Sequence, residues 1–156
     1  MNLDFDFKKT SIGVLDQKDL CFFYYGVGLD TMTNVPVLFD WNEDIQAFIH
    51  DKKMTIDGFE EKDVEAFDDK FEKDKLLFIV RENETKEESL FRHLRNAFAH
   101  YNIHREGNYF LCKDIDIKDK SIKMIGYVNG NDLKELCSRF YDQRAEYEES
   151  LRLNNE

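Results

Sequence analysis

A chain of 156 residues, 42% hydrophobic and 14% aromatic, is long enough to bury a core and too short for two full-sized domains. With one proline, and despite 35% charged residues, it stands apart from collagen-like and disordered compositions. Its 33 acids against 22 bases give a formal charge of -11, which argues against broad nonspecific binding to nucleic acid or anionic membrane and leaves room only for local phosphate contacts. The opening MNLDFDFKKT has no apolar stretch of signal-peptide length, and no window approaches the roughly 20 apolar residues that span a bilayer. A cytoplasmic protein without membrane contact is expected. Cys21, Cys112 and Cys137 are far apart and form no CxxC pair, so they read as reduced core thiols rather than a disulfide framework or zinc knuckle. Without repeats or linkers of biased composition, one domain over residues 1–156 is expected, with residues 1–60 the least assignable part.

In chain order, DLCFFYYGVGL is a continuous apolar run that fits a buried helix or a strand, with a lean to helix as far as Gly26. Pro36 biases Val35 to extended geometry, and Asp40 with Glu43 three residues later resembles a capping box, so a helix is predicted over residues 41–53. Val64, Phe67 and Phe71 recur at helical spacing in an acidic stretch, which predicts a second helix running towards Val80 with a solvated charged face. Thr85 and Glu88 form another capping-box pattern, followed by acids in the first turn. That helix should run to Tyr101 and stop before Gly107. NYFLCKDIDI and SIKMIGYV, separated by the polar KDK, read as a β-hairpin. NGND then caps a final amphipathic helix that carries Leu133, Leu136, Phe140 and Tyr147. The sum is a mainly α fold, a helical bundle with one inserted β-hairpin near residues 108–128.

The helix after Thr85 contains LRNAFAH. On a helical wheel Leu90, Phe91, Leu94, Ala97, Phe98 and Tyr101 gather on an arc of about 120°, the width of a core-facing stripe. The opposite arc holds Arg92, His93, Arg95, Asn96, Ala99 and His100. Arg95 and His100 leave an isolated helix about 140° apart and cannot pair closely there. Ala99 is small enough to admit a second helix, so a two-fold contact between copies of the chain would bring two Arg95, two Asn96 and two His100 into one cleft. Residues 92–105 contain three arginines and three histidines with no acid until Glu106, an electropositive window in an acidic chain.

RNAFAH matches the R-x4-H form of the Rx4-6H motif and resembles the HEPN (higher eukaryotes and prokaryotes nucleotide-binding) family, down to the polar Asn96 directly after the arginine. With the hairpin and closing helix that follow, residues 85–140 are similar to bacterial HEPN ribonucleases that carry a β-hairpin after the motif helix. The resemblance implies a HEPN-like helical bundle and a homodimer whose composite site cuts RNA without a metal. It implies catalytic roles for three residues: His100 as general acid or base at the ribose 2′-OH and leaving oxygen, Arg95 neutralising phosphoryl charge, and Asn96 orienting histidine or phosphate. Arg92, His93, His104 and Arg105 are the accompanying candidates for substrate binding. Many relatives are toxins or phage-defence effectors, so an antitoxin or regulatory protein is a further candidate partner.

Other readings of the same residues stand beside these. Arg95 could pair with a carboxylate of the acidic helix, Asn96 could be a buried hydrogen-bonding residue, and His93 and His104 could be exposed or helix-end side chains, His104 facing the C-terminal dipole. His100 and His104 have the i, i+4 spacing of a metal pair but no convincing third ligand, so no metal and no other cofactor is expected. Ser89 and Cys112 have no legible partners for nucleophilic catalysis, and Tyr109 and Phe110 suit a core better than a base-stacking platform. The alternative function is a catalytically silent HEPN-like module that binds nucleotide or protein in the same cleft.

Overall fold

The computed structural model describes residues 15–23, 42–61, 67 and 71–155, the side chains of Arg144 and Tyr147 excepted. The elements in order are α1 (Gln17–Cys21), α2 (Glu43–Asp51), β1 (Thr55–Glu60), β2 (Lys75–Val80), α3 (Lys86–Ala99), β3 (Ile103–Glu106), β4 (Tyr109–Ile115), β5 (Ile122–Asn129) and α4 (Gly130–Asn154). The strands form one five-stranded sheet in the order β1-β2-β5-β4-β3. β1 and β2 are parallel, and the other neighbours are antiparallel.

This is an α/β fold, and it corrects the mainly α bundle with a single hairpin. The expected hairpin is present as β4 and β5, with Cys112 opposite Gly126, but β3 joins it on one side and β2 on the other. β2, KLLFIV, stands where the second helix was expected to end. It is an inner strand with Leu76, Phe78 and Ile79 all buried, and a strand covered on both faces reads as a continuous apolar run rather than an alternation. Val64 and most of the acidic stretch before it lie outside the described residues.

The capping predictions fare better. Thr85 Oγ1 accepts from the Glu88 amide at 3.1 Å while Glu88 Oε2 accepts from the Thr85 amide at 2.9 Å, a complete capping box that starts α3. Asn129 accepts from the amides of Asn131 and Asp132 and starts α4. α2 is capped by Asn42, whose Oδ1 accepts from the Ile45 amide at 2.9 Å; Asp40 and Trp41 lie outside the described residues. The helix expected in DLCFFYYGVGL is present in α1, which opens on an Asp16–Asp19 capping box, and residues 24–30 lie outside the description.

α3 packs on β2 and β4, and α4 on β5 and α2. Leu76 and Phe78 of β2, Phe110 and Cys112 of β4, and Met124 and Val128 of β5 join Leu90, Phe91 and Leu94 of α3 and Leu133, Leu136 and Phe140 of α4 in the core. Phe91 meets Phe140 edge-on at 6.1 Å and stacks on Tyr141 at 5.4 Å, which fixes α3 against α4. Arg139 of α4 donates to both carboxylate oxygens of Asp44 at 2.9 Å and lies over the Phe48 ring, tying α4 to α2. Of the three cysteines expected in the core, Cys112 and Cys137 are buried and Cys21 is exposed. No described helix is long and apolar enough to cross a membrane.

Candidate active site

α3 ends at its C-cap residue, His100. The Tyr101 amide donates to the Phe98 carbonyl at 3.1 Å and the Asn102 amide to the Ala97 carbonyl at 2.7 Å, the paired bonds of a Schellman stop. Tyr101 is thereby held in the left-handed region at φ 59°, a position glycine usually fills. Its side chain is 59% exposed, not part of the core stripe where the wheel put it. Because the helix stops here and β3 begins at Ile103, His100 and His104 share no helical face, and the i, i+4 metal geometry does not form.

His100 is exposed and lines an open cleft of about 510 Å³ between α3 and the turn that joins β4 to β5. Arg92, His93 and Asn96 enter the same cleft from α3. The opposite wall carries Asp114, Ile117, Lys118 and Lys123, and Arg81 stands at the end of β2. The turn is held in shape by Asp116, whose Oδ1 accepts from the Lys118 and Asp119 amides at 2.8 and 3.2 Å, and it leaves Ile117 68% exposed. Arg81, Asp114, Ile117, Lys118 and Lys123 were not singled out from the sequence. The trace of Asp114, Ile117, Lys118 and Lys123 there is the short run of acids and lysines across the β4–β5 turn, and Arg81 leaves none.

Of the three expected catalytic residues, Asn96 and His100 line the cleft and Arg95 does not. Arg95 is exposed beside it, with Nη2 3.4 Å from Asn96 Oδ1. The Asn96 amide nitrogen in turn donates to Asp114 Oδ2 at 3.3 Å. Of the four candidates for substrate binding, Arg92 and His93 reach the cleft, while His104 and Arg105 sit on β3 outside its lining. Arg92 is held by Glu84, its Nε donating to both carboxylate oxygens at 2.9 and 3.1 Å. Burial would raise the Glu84 carboxyl, but hydrogen bonds from Arg92 and the Ser89 hydroxyl outweigh it and hold the group below its ordinary 4.5. Arg105 pairs with Asp16 at 2.8 Å, at the start of α1. His104 is half-buried, and burial depresses its pKa despite the opposing charge of Glu106.

His93 departs furthest from expectation. It was placed on the polar arc as an exposed side chain, yet it is 2% exposed, with Nδ1 2.7 Å from Asp114 Oδ2 and Nε2 2.7 Å from the Ile79 carbonyl. The wheel assumed one buried stripe, whereas α3 also buries Glu87 and Ser89 and faces two strands and a second helix.

Chemically, the cleft combines an exposed imidazole for proton transfer, a carboxamide, and cations from Arg81, Arg92, Lys118 and Lys123 at a scale suited to a phosphodiester. Glu61, Asp114 and Asp116 line it too, and the Lys123 ammonium is bonded to Glu61 at 2.7 Å. Among the described residues no cluster of three or more His, Cys, Asp or Glu side chains is arranged to hold a metal ion.

Neither the curated proteins nor the solved structures give a match to the chain. The family model described as HEPN pEK499 p136 matches residues 30–151, a span that contains RNAFAH and every strand of the sheet. By that match over most of its length, and by the motif at the end of α3, the chain belongs to the HEPN pEK499 p136 family and so to a class of nucleotide-binding or ribonuclease-like modules.

Proposed function

We propose that the protein is a metal-independent RNA endonuclease in which His100 moves the proton of a ribose 2′-OH or of the leaving 5′-oxygen. The observation that carries this reading is the position of His100, exposed at the end of α3 in a cleft that also holds Asn96 and four cationic side chains, in a chain of net charge -11. An imidazole titrates near neutrality and can serve as base in one step and acid in the next. Arg95 stabilises the charge that grows on the phosphoryl oxygens as the 2′-oxygen attacks. Its place outside the cleft of its own chain supports a composite site, with a second copy meeting α3 near the small, exposed Ala99. An activity of this kind suits a toxin or a phage-defence effector, with an antitoxin or regulatory protein restraining it.

The test is the chemistry of the ends. Cleavage of a defined RNA should leave 2′,3′-cyclic phosphate or 3′-phosphate on one fragment and 5′-OH on the other, in the presence of EDTA. A 2′-deoxy sugar at the cut site should block it, because the nucleophile is gone. Equal rates on RNA and its fully 2′-deoxy counterpart would overturn the mechanism. The silent binding module draws its support from the carboxylates of Glu61, Asp114 and Asp116 in the same cleft, which oppose a polyanion. Intact RNA after incubation with both wild type and His100→Ala would favour it.

A further inference from the structure

His93 and Asp114 form a buried pair for which RNA cleavage has no direct use. Both are nearly inaccessible, at 2% and 6% exposure, and they join α3 to β4 through the 2.7 Å contact of Nδ1 with Oδ2. The other ring nitrogen is 2.7 Å from the carbonyl of Ile79 on β2. The Ile79 carbonyl only accepts, so Nε2 is placed to donate to it, while Nδ1 and Oδ2 share the hydrogen bond between imidazole and carboxyl. Two ionisable groups are accommodated in a core at tolerable cost when they bond to each other in this way.

The same oxygen of Asp114 that meets His93 also accepts from the Asn96 amide nitrogen at 3.3 Å. This fixes which way the carboxamide points. With its NH2 turned to a carboxylate, Asn96 must present its oxygen on the other side, and there Oδ1 faces Nη2 of Arg95 at 3.4 Å. A continuous polar relay therefore runs from the Ile79 carbonyl through His93, Asp114 and Asn96 to the guanidinium of Arg95. From it we infer that His93 and Asp114 are positioning residues, which set the orientation of the Asn96 carboxamide and through it the aim of Arg95; their effect on catalysis rests on the ribonuclease reading above. Apolar packing of Leu90, Leu94 and Ala97 holds α3 on the sheet, but it does not choose between the two orientations of an amide. The Asp114 carboxylate does.

Asp114→Asn is the informative change, because it keeps the shape of the side chain and replaces the oxygen that accepts from Asn96 by an amide that can face it either way. The variant should fold cooperatively, cleave RNA with kcat lowered by about 10- to 100-fold, the scale of a mis-set catalytic group, and keep KM within about twofold. In an Asn96→Ala background it should have no further effect, since the residue it acts through is missing. In the wild-type protein the Asn96 side-chain amide protons should be protected from solvent exchange in NMR spectra, and Asp114→Asn should remove that protection. Should Asp114→Asn not fold, His93→Gln gives the same readings, because glutamine can satisfy Ile79 while releasing Asp114. The inference fails if Asn96 amide protection is unchanged in the variant, or if the rate losses of Asp114→Asn and Asn96→Ala multiply as independent effects. If wild type cuts no RNA while the protection is present and lost on substitution, the ribonuclease reading falls and the orienting pair stands.

Discussion

His100 and His93 lie seven residues apart on the same helix, and their surroundings divide the work between them. His93 spends both ring nitrogens on internal bonds, whereas His100 is exposed in the cleft. On the proposed chemistry His100→Ala and Arg95→Ala should each slow RNA cleavage by at least about 100-fold, the usual cost of losing a positioned acid/base or a transition-state charge partner. Circular dichroism should show both variants folded, because both side chains are exposed. Unfolding of Arg95→Ala would assign that residue to the scaffold. The neighbouring Tyr101 tests the backbone at the same spot. At φ 59° a tyrosine stands where only glycine is unstrained, a penalty of roughly 1–2 kcal/mol, and relatively little of its ring is buried to compensate. Glycine loses more chain entropy on folding, by roughly 0.5–1 kcal/mol. Tyr101→Gly should therefore raise stability in denaturant titrations by about 0.5–1 kcal/mol, and a clear loss would mean that the ring makes contacts worth more than the strain.

At the scale of elements, the junction of β2 and α3 is held by Glu84, which accepts from Arg92 at 2.9 Å and from the Ser89 hydroxyl at 2.6 Å. Its carboxyl is held below 4.5 in the folded chain, so the stabilisation is fully present above the unfolded value and is lost as pH falls through the folded one. Wild type should accordingly exceed Glu84→Gln in stability at pH 7, and the gap should close in thermal melts taken progressively below pH 4.5. A gap independent of pH would locate the loss in packing rather than in charge. The same junction shows what could be read from the chain and what could not. Thr85 with Glu88 announced α3, and two segments rich in β-branched and aromatic residues around KDK announced β4 and β5, because caps and short hairpins are local. β2 was hidden by its burial on both faces, and β1 by Asp57 and Gly58, which depress strand propensity. Both are fixed by a parallel pairing between segments with 14 residues between them, which no local pattern in either strand announces. The end of α3 was expected near Tyr101 and falls at Ala99, with Tyr101 in the left-handed position that a glycine would have marked. In the site, Asn96 and His100, singled out through the RNAFAH resemblance, both line the cleft, while Asp114 was not singled out: it lies within YFLCKDI, and its partner His93 comes from 21 residues earlier.

At the scale of the whole molecule, charge and assembly act against each other. Each copy carries -11, so a pair would carry -22, and the two-fold contact proposed around Ala99 must form against that repulsion. Screening weakens repulsion between exposed charges, with a Debye length of about 30 Å at 0.01 M salt and about 10 Å at 0.1 M. If that pair forms, at roughly twice 18.7 kDa, it should tighten as salt is raised from 50 to 300 mM in sedimentation or light scattering. RNA binding should respond in the opposite sense, because Arg81, Arg92 and Lys118 would release counterions from phosphate and lose affinity with salt. Activity measured at a chain concentration near the dimer dissociation constant should consequently pass through a maximum with ionic strength, rising while assembly limits it and falling once substrate binding does. Ala99→Glu separates the two effects. It adds bulk and a like charge at the proposed axis and should leave a folded monomer at micromolar concentration, inactive on RNA at every salt concentration. A monomeric wild type that cleaves RNA with a steady fall in rate from the lowest salt upwards would remove the second copy from the mechanism, and would require Arg95 to reach the cleft of its own chain.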